Sequence, residues 1–273
     1  MEPSTVARDR LTEDEAKARR RRIGGVAYSL DLDLEAGSKV FRGDLVATFE
    51  HRGGDTFMEW VGGTIHRFEV NGNLEDPAWD GTRIALPERL LQEHNEVRIS
   101  YERPYDKTGE GFHQFIDPED GSEYLYSQFE PYSAHRLFPC FDQPDIKAVF
   151  RVSVTAPSDW EVVSAGAELE RQELPDGRSR RVFAETVPFS TYLLAVCAGP
   201  FAVVRDEHEG IPLGIYVRSN WLQYLDAENI FSVTKKGIDF YRDLFDEPYP
   251  FGKYDQLFVP EFNWGGMELS LIH

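Results

Sequence analysis

The feature that most constrains this chain is an alternation of period two that begins at Gly25 and keeps returning. Val26, Tyr28, Leu30, Leu32 and Leu34 fall on one side of an extended backbone, and Ser29, Asp31 and Asp33 on the other. A helix cannot gather that set on one face, because its side chains repeat every 3.6 residues. Residues 41–49, 57–60, 65–70 and 97–101 read as further strands, with a turn at Asn71-Gly72. Alternation resumes over 149–155 and 160–164. Pro175-Asp176-Gly177 turns a hairpin between Leu169 and Val182, and residues 191–198 read as a buried strand stopped by Gly199-Pro200. Such spacing, punctuated by Gly, Asn and Asp, predicts a mostly β protein with an antiparallel β-sandwich or saddle-like sheet.

The two ends differ from this middle. Residues 1–24 are charged and poor in large apolar side chains, which predicts a flexible, solvated arm. Within it Thr12 and Glu15 form a capping-box pattern for a short helix that runs into Arg19-Arg20-Arg21-Arg22. Near residues 205–210 the run Arg205-Asp-Glu-His-Glu-Gly210 breaks the apolar pattern, so the β domain is placed at 25–205 and a second region at 206–273. That region holds a strand at 213–217, a helix capped by Asp226 and a strand at 257–259. Ile230, Val233, Gly237, Tyr241 and Leu244 share one helix face, where Gly237 suggests close packing, and Pro248 and Pro250 end the helix. The region reads as the incomplete start of an α/β domain.

Formal charge excludes one class of partner. With 29 basic and 48 acidic residues the net charge is −19, a surface that repels phosphates and argues against nucleic acid. No apolar run approaches the ~18 residues of a membrane helix, and the N-terminus lacks the apolar core of a secretory signal. A cytoplasmic protein without membrane contact is expected. Cys140 and Cys197 both lie in apolar surroundings and read as buried thiols, with a single disulfide as the alternative.

Chemistry concentrates in two places. Gln128 and Glu130 are two residues apart, so an extended backbone puts them on one face. After them, His135 to Asp145 reads as a rigid, aromatic-packed connection held extended by Pro139 and Pro144. Near the end, the apolar run Leu257-Phe258-Val259 stops at Pro260 and leads to Gly265-Gly266-Met267-Glu268. Paired glycines let another backbone approach, so a peptide can add itself there as a strand, with Glu268 placed to meet its terminal ammonium. A plain Gly-Gly turn beside an exposed carboxylate is the alternative. Lys107-Thr-Gly-Glu-Gly111 is no phosphate loop, for it lacks the closing Gly-Lys-Ser/Thr.

Taken together, Gln128-Phe129-Glu130-Pro131, Phe138-Pro-Cys-Phe-Asp-Gln-Pro144 and Gly265-Gly-Met-Glu268 resemble the aminopeptidase N type of zinc metallopeptidase, the gluzincin aminopeptidases. Ser190-Thr-Tyr-Leu193 and Gly199-Pro-Phe201 are weaker matches, and the resemblance runs from about Gly25 onward. It implies a thermolysin-like catalytic domain after the β domain and hydrolysis of N-terminal residues from peptides. It also implies that Glu130 and Glu268 hold the substrate α-amine, Gln128 lines the first side-chain pocket, Gly265 and Gly266 pair with the substrate backbone, and Met267 packs beneath them. Zinc is the implied cofactor of the complete enzyme, bound by H-E-x-x-H and a downstream Glu. No two histidines here are four apart, and Leu269 stands where the G-x-M-E-N motif has Asn. No metal ligand or catalytic group is therefore assigned in this chain, which on its own is expected to be inactive and to need a C-terminal catalytic segment as partner. A non-catalytic β-sandwich module that binds peptides or proteins is the alternative.

Overall fold

The computed structural model of the chain describes residues 9–263 and 266. Helix α1 (Glu13–Arg22) leads into β1 (Ile23–Asp33), β2 (Val40–His51), β3 (Thr56–Glu59), β4 (Thr64–Val70), β5 (Asn73–Leu74), β6 (Arg83–Leu86) and β7 (His94–Pro104). Next come β8 (Gly111–Ile116), β9 (Glu123–Gln128), β10 (Ala148–Pro157), β11 (Glu161–Ser164), β12 (Glu168–Glu173), β13 (Arg178–Phe183) and β14 (Val196–Gly199). The last elements are β15 (Phe201–His208), β16 (Ile211–Arg218), α2 (Ala227–Phe245) and β17 (Tyr254–Phe258).

The alternating strands build a large sheet in the order β12-β13-β10-β1-β2-β7-β4-β5. Its inner face carries Tyr28, Leu30, Leu32, Leu45, Ala47, Val97, Ile99, Val152 and Val154, all buried. Its outer face is laced with cross-strand ion pairs such as Arg180–Asp31 and Arg42–Glu102. The sheet is mixed rather than antiparallel, because β1 and β10 run parallel from Val26↔Ala148 to Asp33↔Thr155. Parallel neighbours need a long crossover, and everything from β2 to β9 supplies it.

A second sheet, β11-β14-β9-β8, lies across the first and is covered on both faces. Leu125, Val196 and Ala198 pack into the main core. Tyr124, Tyr126, Val163 and Cys197 face the other way, onto Phe201 and Tyr216 of the third sheet, β15-β16-β17. In that sheet β16 and β17 are parallel, joined through α2, which docks Phe231 against Leu213 and Ile215. Both cysteines are buried free thiols. Among the described residues no helix is long and apolar enough to cross a membrane.

Several sequence expectations change. The arm is not wholly flexible: Thr12 caps α1 through the expected capping box, and Arg19 is 2% exposed against Glu59, Nη1 to Oε2 2.7 Å. A guanidinium sinks this far only when a carboxylate meets it. Residues 191–193 form a 3-10 turn ahead of β14. The third sheet starts at Phe201, so the boundary placed near 205 falls inside β15. On α2, Ile230, Phe231 and Ile238 face the sheet, whereas Val233, Tyr241 and Leu244 face solvent. The expected close packing at Gly237 is not seen: a Cβ there would meet nothing within 4 Å among the described residues.

Candidate amino-terminus recognition site

Strand β9 organises the site. It is buried along its whole length, because alternate residues enter two different cores. Tyr124, Tyr126 and Gln128 therefore share the face turned toward the third sheet. The hydroxyl of Tyr126 donates to the carbonyl of Glu261 at 3.1 Å, and its ring meets Phe262 edge-on at 5.8 Å. The turn that precedes the Gly-Gly-Met-Glu segment is thus tied to the strand that ends in Gln128.

Gln128 pairs with Gly111 across the β8–β9 ladder and is fully buried. Among the described residues neither its Oε1 nor its Nε2 has a hydrogen-bond partner. A buried amide left without a partner costs about 1–3 kcal/mol. Glu130 does not share the strand, which ends at Gln128; it sits half-buried in the following turn, whose Ser133 N–H donates to the Phe129 carbonyl at 2.9 Å. Gly266 is exposed with open space around it among the described residues. Gly265, Met267 and Glu268 lie outside the described residues.

The turn that carries Glu130 is fixed by a buried polar network that sequence reasoning missed. Tyr132 donates to Glu59 at 3.3 Å, and Glu59 also accepts from Arg19 and from the Asp142 N–H at 3.1 Å. Asp142, fully buried, lies 2.7 Å from His135 Nδ1 and accepts from the Thr191 hydroxyl at 2.6 Å. Burial pulls the His135 pKa down, but hydrogen bonds to Asp142 and to Asp9 outweigh it and raise the value to about 9. Burial raises Glu59 above the usual carboxylate range, and Arg19 limits that rise. No local pattern reveals these pairs, since Arg19, Glu59 and Asp142 are far apart in sequence.

A second missed cluster flanks Gln128. The loop before β8 is clamped by Asp106, which takes Arg103 at 2.6 Å and the Phe112 N–H at 3.0 Å. Its Gly109 N–H donates to His113 Nδ1 at 3.0 Å, and the Thr108 carbonyl accepts from the Asn263 amide at 2.8 Å. The glycines of the rejected phosphate-loop pattern have φ of +76° at Gly109 and +79° at Gly111, so they serve tight turns instead.

Whether zinc fits can be judged from the donor groups. His208, Glu209 and Asp239 place ligand atoms within 4.8 Å of one another. Arg242 already ion-pairs with Glu209 and, at 3.2 Å, with Asp239, while His208 binds Asp239 at 2.8 Å. The carboxylates are satisfied by a side-chain cation, and the set does not fit a catalytic zinc.

Comparison with known proteins agrees with this architecture. Residues 55–193 match the peptidase M1 N-terminal domain. Aminopeptidase N of Streptomyces lividans is 40% identical over 268 residues, which is 94% of this chain and 31% of that protein. Glutamyl aminopeptidase of Homo sapiens is 32% identical over 161 residues, 58% of this chain and 17% of that protein. Aminopeptidase N of Acetobacter pasteurianus is 30% identical over 200 residues, 71% of this chain and 55% of that protein. The chain thus spans about a third or less of the length of the first two. By its matched domain and its β architecture, this chain belongs to the aminopeptidase N-type M1 peptidase family.

Proposed function

We propose that this chain supplies the substrate-recognition half of a zinc aminopeptidase site, which removes N-terminal residues from peptides in the complete enzyme. The observation that supports the reading is the tie between Tyr126 and Glu261, which holds the 261–263 turn against β9, the strand that ends in Gln128, whose buried amide has no partner among the described residues. Glu130 and Glu268 grip the α-ammonium of the substrate in charge-assisted hydrogen bonds, each worth about 1.5–3 kcal/mol. An internal stretch of peptide has no such cation and leaves two carboxylates uncompensated, which restricts the site to chain ends. Gly265 and Gly266 accept the substrate backbone as an added strand, Met267 packs below, and Gln128 borders the first side-chain pocket.

The described donor groups do not fit zinc, so the metal chemistry is assigned to other residues of the complete enzyme and no step is routed through it. The test is turnover of an aminoacyl chromogenic substrate by this chain, with and without added zinc. No chelator-sensitive release is expected. Release that stops on chelation contradicts the division between recognition and metal chemistry.

A further inference from the structure

His113 is 1% exposed and pairs with Tyr126 across the β8–β9 ladder, their rings 4.9 Å apart. Because the Gly109 N–H points at Nδ1, that nitrogen carries a lone pair and the proton of the neutral ring is on Nε2. Nε2 faces the Glu261 carboxylate at 3.4 Å. Gly109 in turn presses on the same turn: a Cβ there would lie 2.5 Å from Asn263 Nδ2 and 2.9 Å from the Glu261 carbonyl. The imidazole thus touches both the loop and the segment that the loop clasps.

We infer that neutral His113 is the positioning residue that closes the Gly109 loop over the 261–263 turn, and that its protonation releases the turn. A proton on Nδ1 would oppose the Gly109 N–H, donor against donor. Loop and turn would separate, and the root of Gly265–Glu268 would come away from β9. The charged groups around the ring are Lys107 and Asp106 from the loop and Glu261 from the turn, with the Tyr126 phenol on β9. Burial is the largest influence and, with Lys107, outweighs Glu261 and Asp106, so the His113 pKa lies below its ordinary 6.5. A depressed histidine favours folding above pH 6.5 and loses that contribution as pH falls through its folded pKa. The consequence for peptide recognition rests on the amine-site reading; the clasp itself does not.

The experiment is amide hydrogen exchange by NMR at the Gly109 N–H, which donates to His113, and at the Asn263 side-chain amide, which donates to the Thr108 carbonyl, corrected for intrinsic rates, between about pH 7.5 and pH 5. Protection in the wild type should fall about ten-fold or more, while amides of the β1–β2 ladder hold. His113→Asn places Oδ1 where Nδ1 was, still accepts from Gly109 and cannot be protonated, so its protection should stay flat. His113→Leu should lose protection at both pH values. A flat wild type, or an Asn variant that follows the wild type, overturns the inference. Binding of a free-amine tripeptide, followed on the same samples, reads the amine site separately: its absence at every pH counts against that site, while Gly109 still decides the clasp.

Discussion

At the scale of single residues, buried charge does the positioning. His135 is held at a pKa of about 9 against an ordinary 6.5, so its protonated form is stabilised by folding. That contribution is complete below pH 6.5 and is lost as pH rises through about 9, on the order of 3 kcal/mol in all. Urea unfolding midpoints should therefore fall between those pH values, and His135→Gln should flatten that part of the profile. The Arg19–Glu59 pair makes a second test. Arg19→Met leaves a buried carboxylate unpaired, and unfolding should become easier by about 3–5 kcal/mol. A loss below about 1 kcal/mol would place Glu59 in contact with water. Neither pair was legible beforehand. Arg19 reads as one of four exposed arginines, because the carboxylate that allows its burial comes from β3. Gln128 and Glu130 are expected from their spacing to share one face of an extended segment, but β9 ends at Gln128 and Glu130 falls in the turn that follows.

At the scale of elements, legibility follows burial. Strands β1, β2, β7 and β10 each bury one face, so alternation marks them plainly. Strand β8 is buried on both sides and carries His113 and Gln114, so it resembles part of the Gly-rich loop before it. Gln114 is tolerated there because its Nε2 donates to the Ser38 carbonyl at 2.8 Å. Strand direction left no local mark, since the partners β1 and β10 are over a hundred residues apart. Helix α2 carries the expected Asp226 cap, but the close packing expected at Gly237 is absent among the described residues. Both of its stripes are apolar, and periodicity alone cannot say which one meets β16. Gly237 lies on the open stripe with an ordinary φ and free space for a Cβ. Gly237→Ala should therefore stabilise this chain by about 1 kcal/mol in urea unfolding. Destabilisation would mean that another surface lies against the helix at that point.

At the scale of the whole molecule, the third sheet leaves apolar surface uncovered. Phe240, Tyr241, Leu244 and Phe245 are each more than half exposed on α2, with Val233 on the same helix, and Trp221 and Tyr224 lie just before it. Phe240 is exposed at 60%, whereas Ile230 and Leu257 are partly packed. A stripe of this size binds apolar dyes and drives association. Dye fluorescence and concentration-dependent light scattering are expected from the isolated chain, and Phe240→Lys with Leu244→Lys should suppress both. A monomer that binds no dye at high concentration contradicts an open stripe. The most direct measurement of the central claim is an NMR titration of this chain with a tripeptide bearing a free α-amine and with its N-acetylated twin. Shifts near Gln128 and Glu130 should appear with the first and not the second, and Glu130→Gln or Glu268→Gln should weaken binding about ten-fold, near the value of one charge-assisted hydrogen bond. Equal binding of both peptides, or no effect of either substitution, contradicts recognition of a peptide's amino terminus.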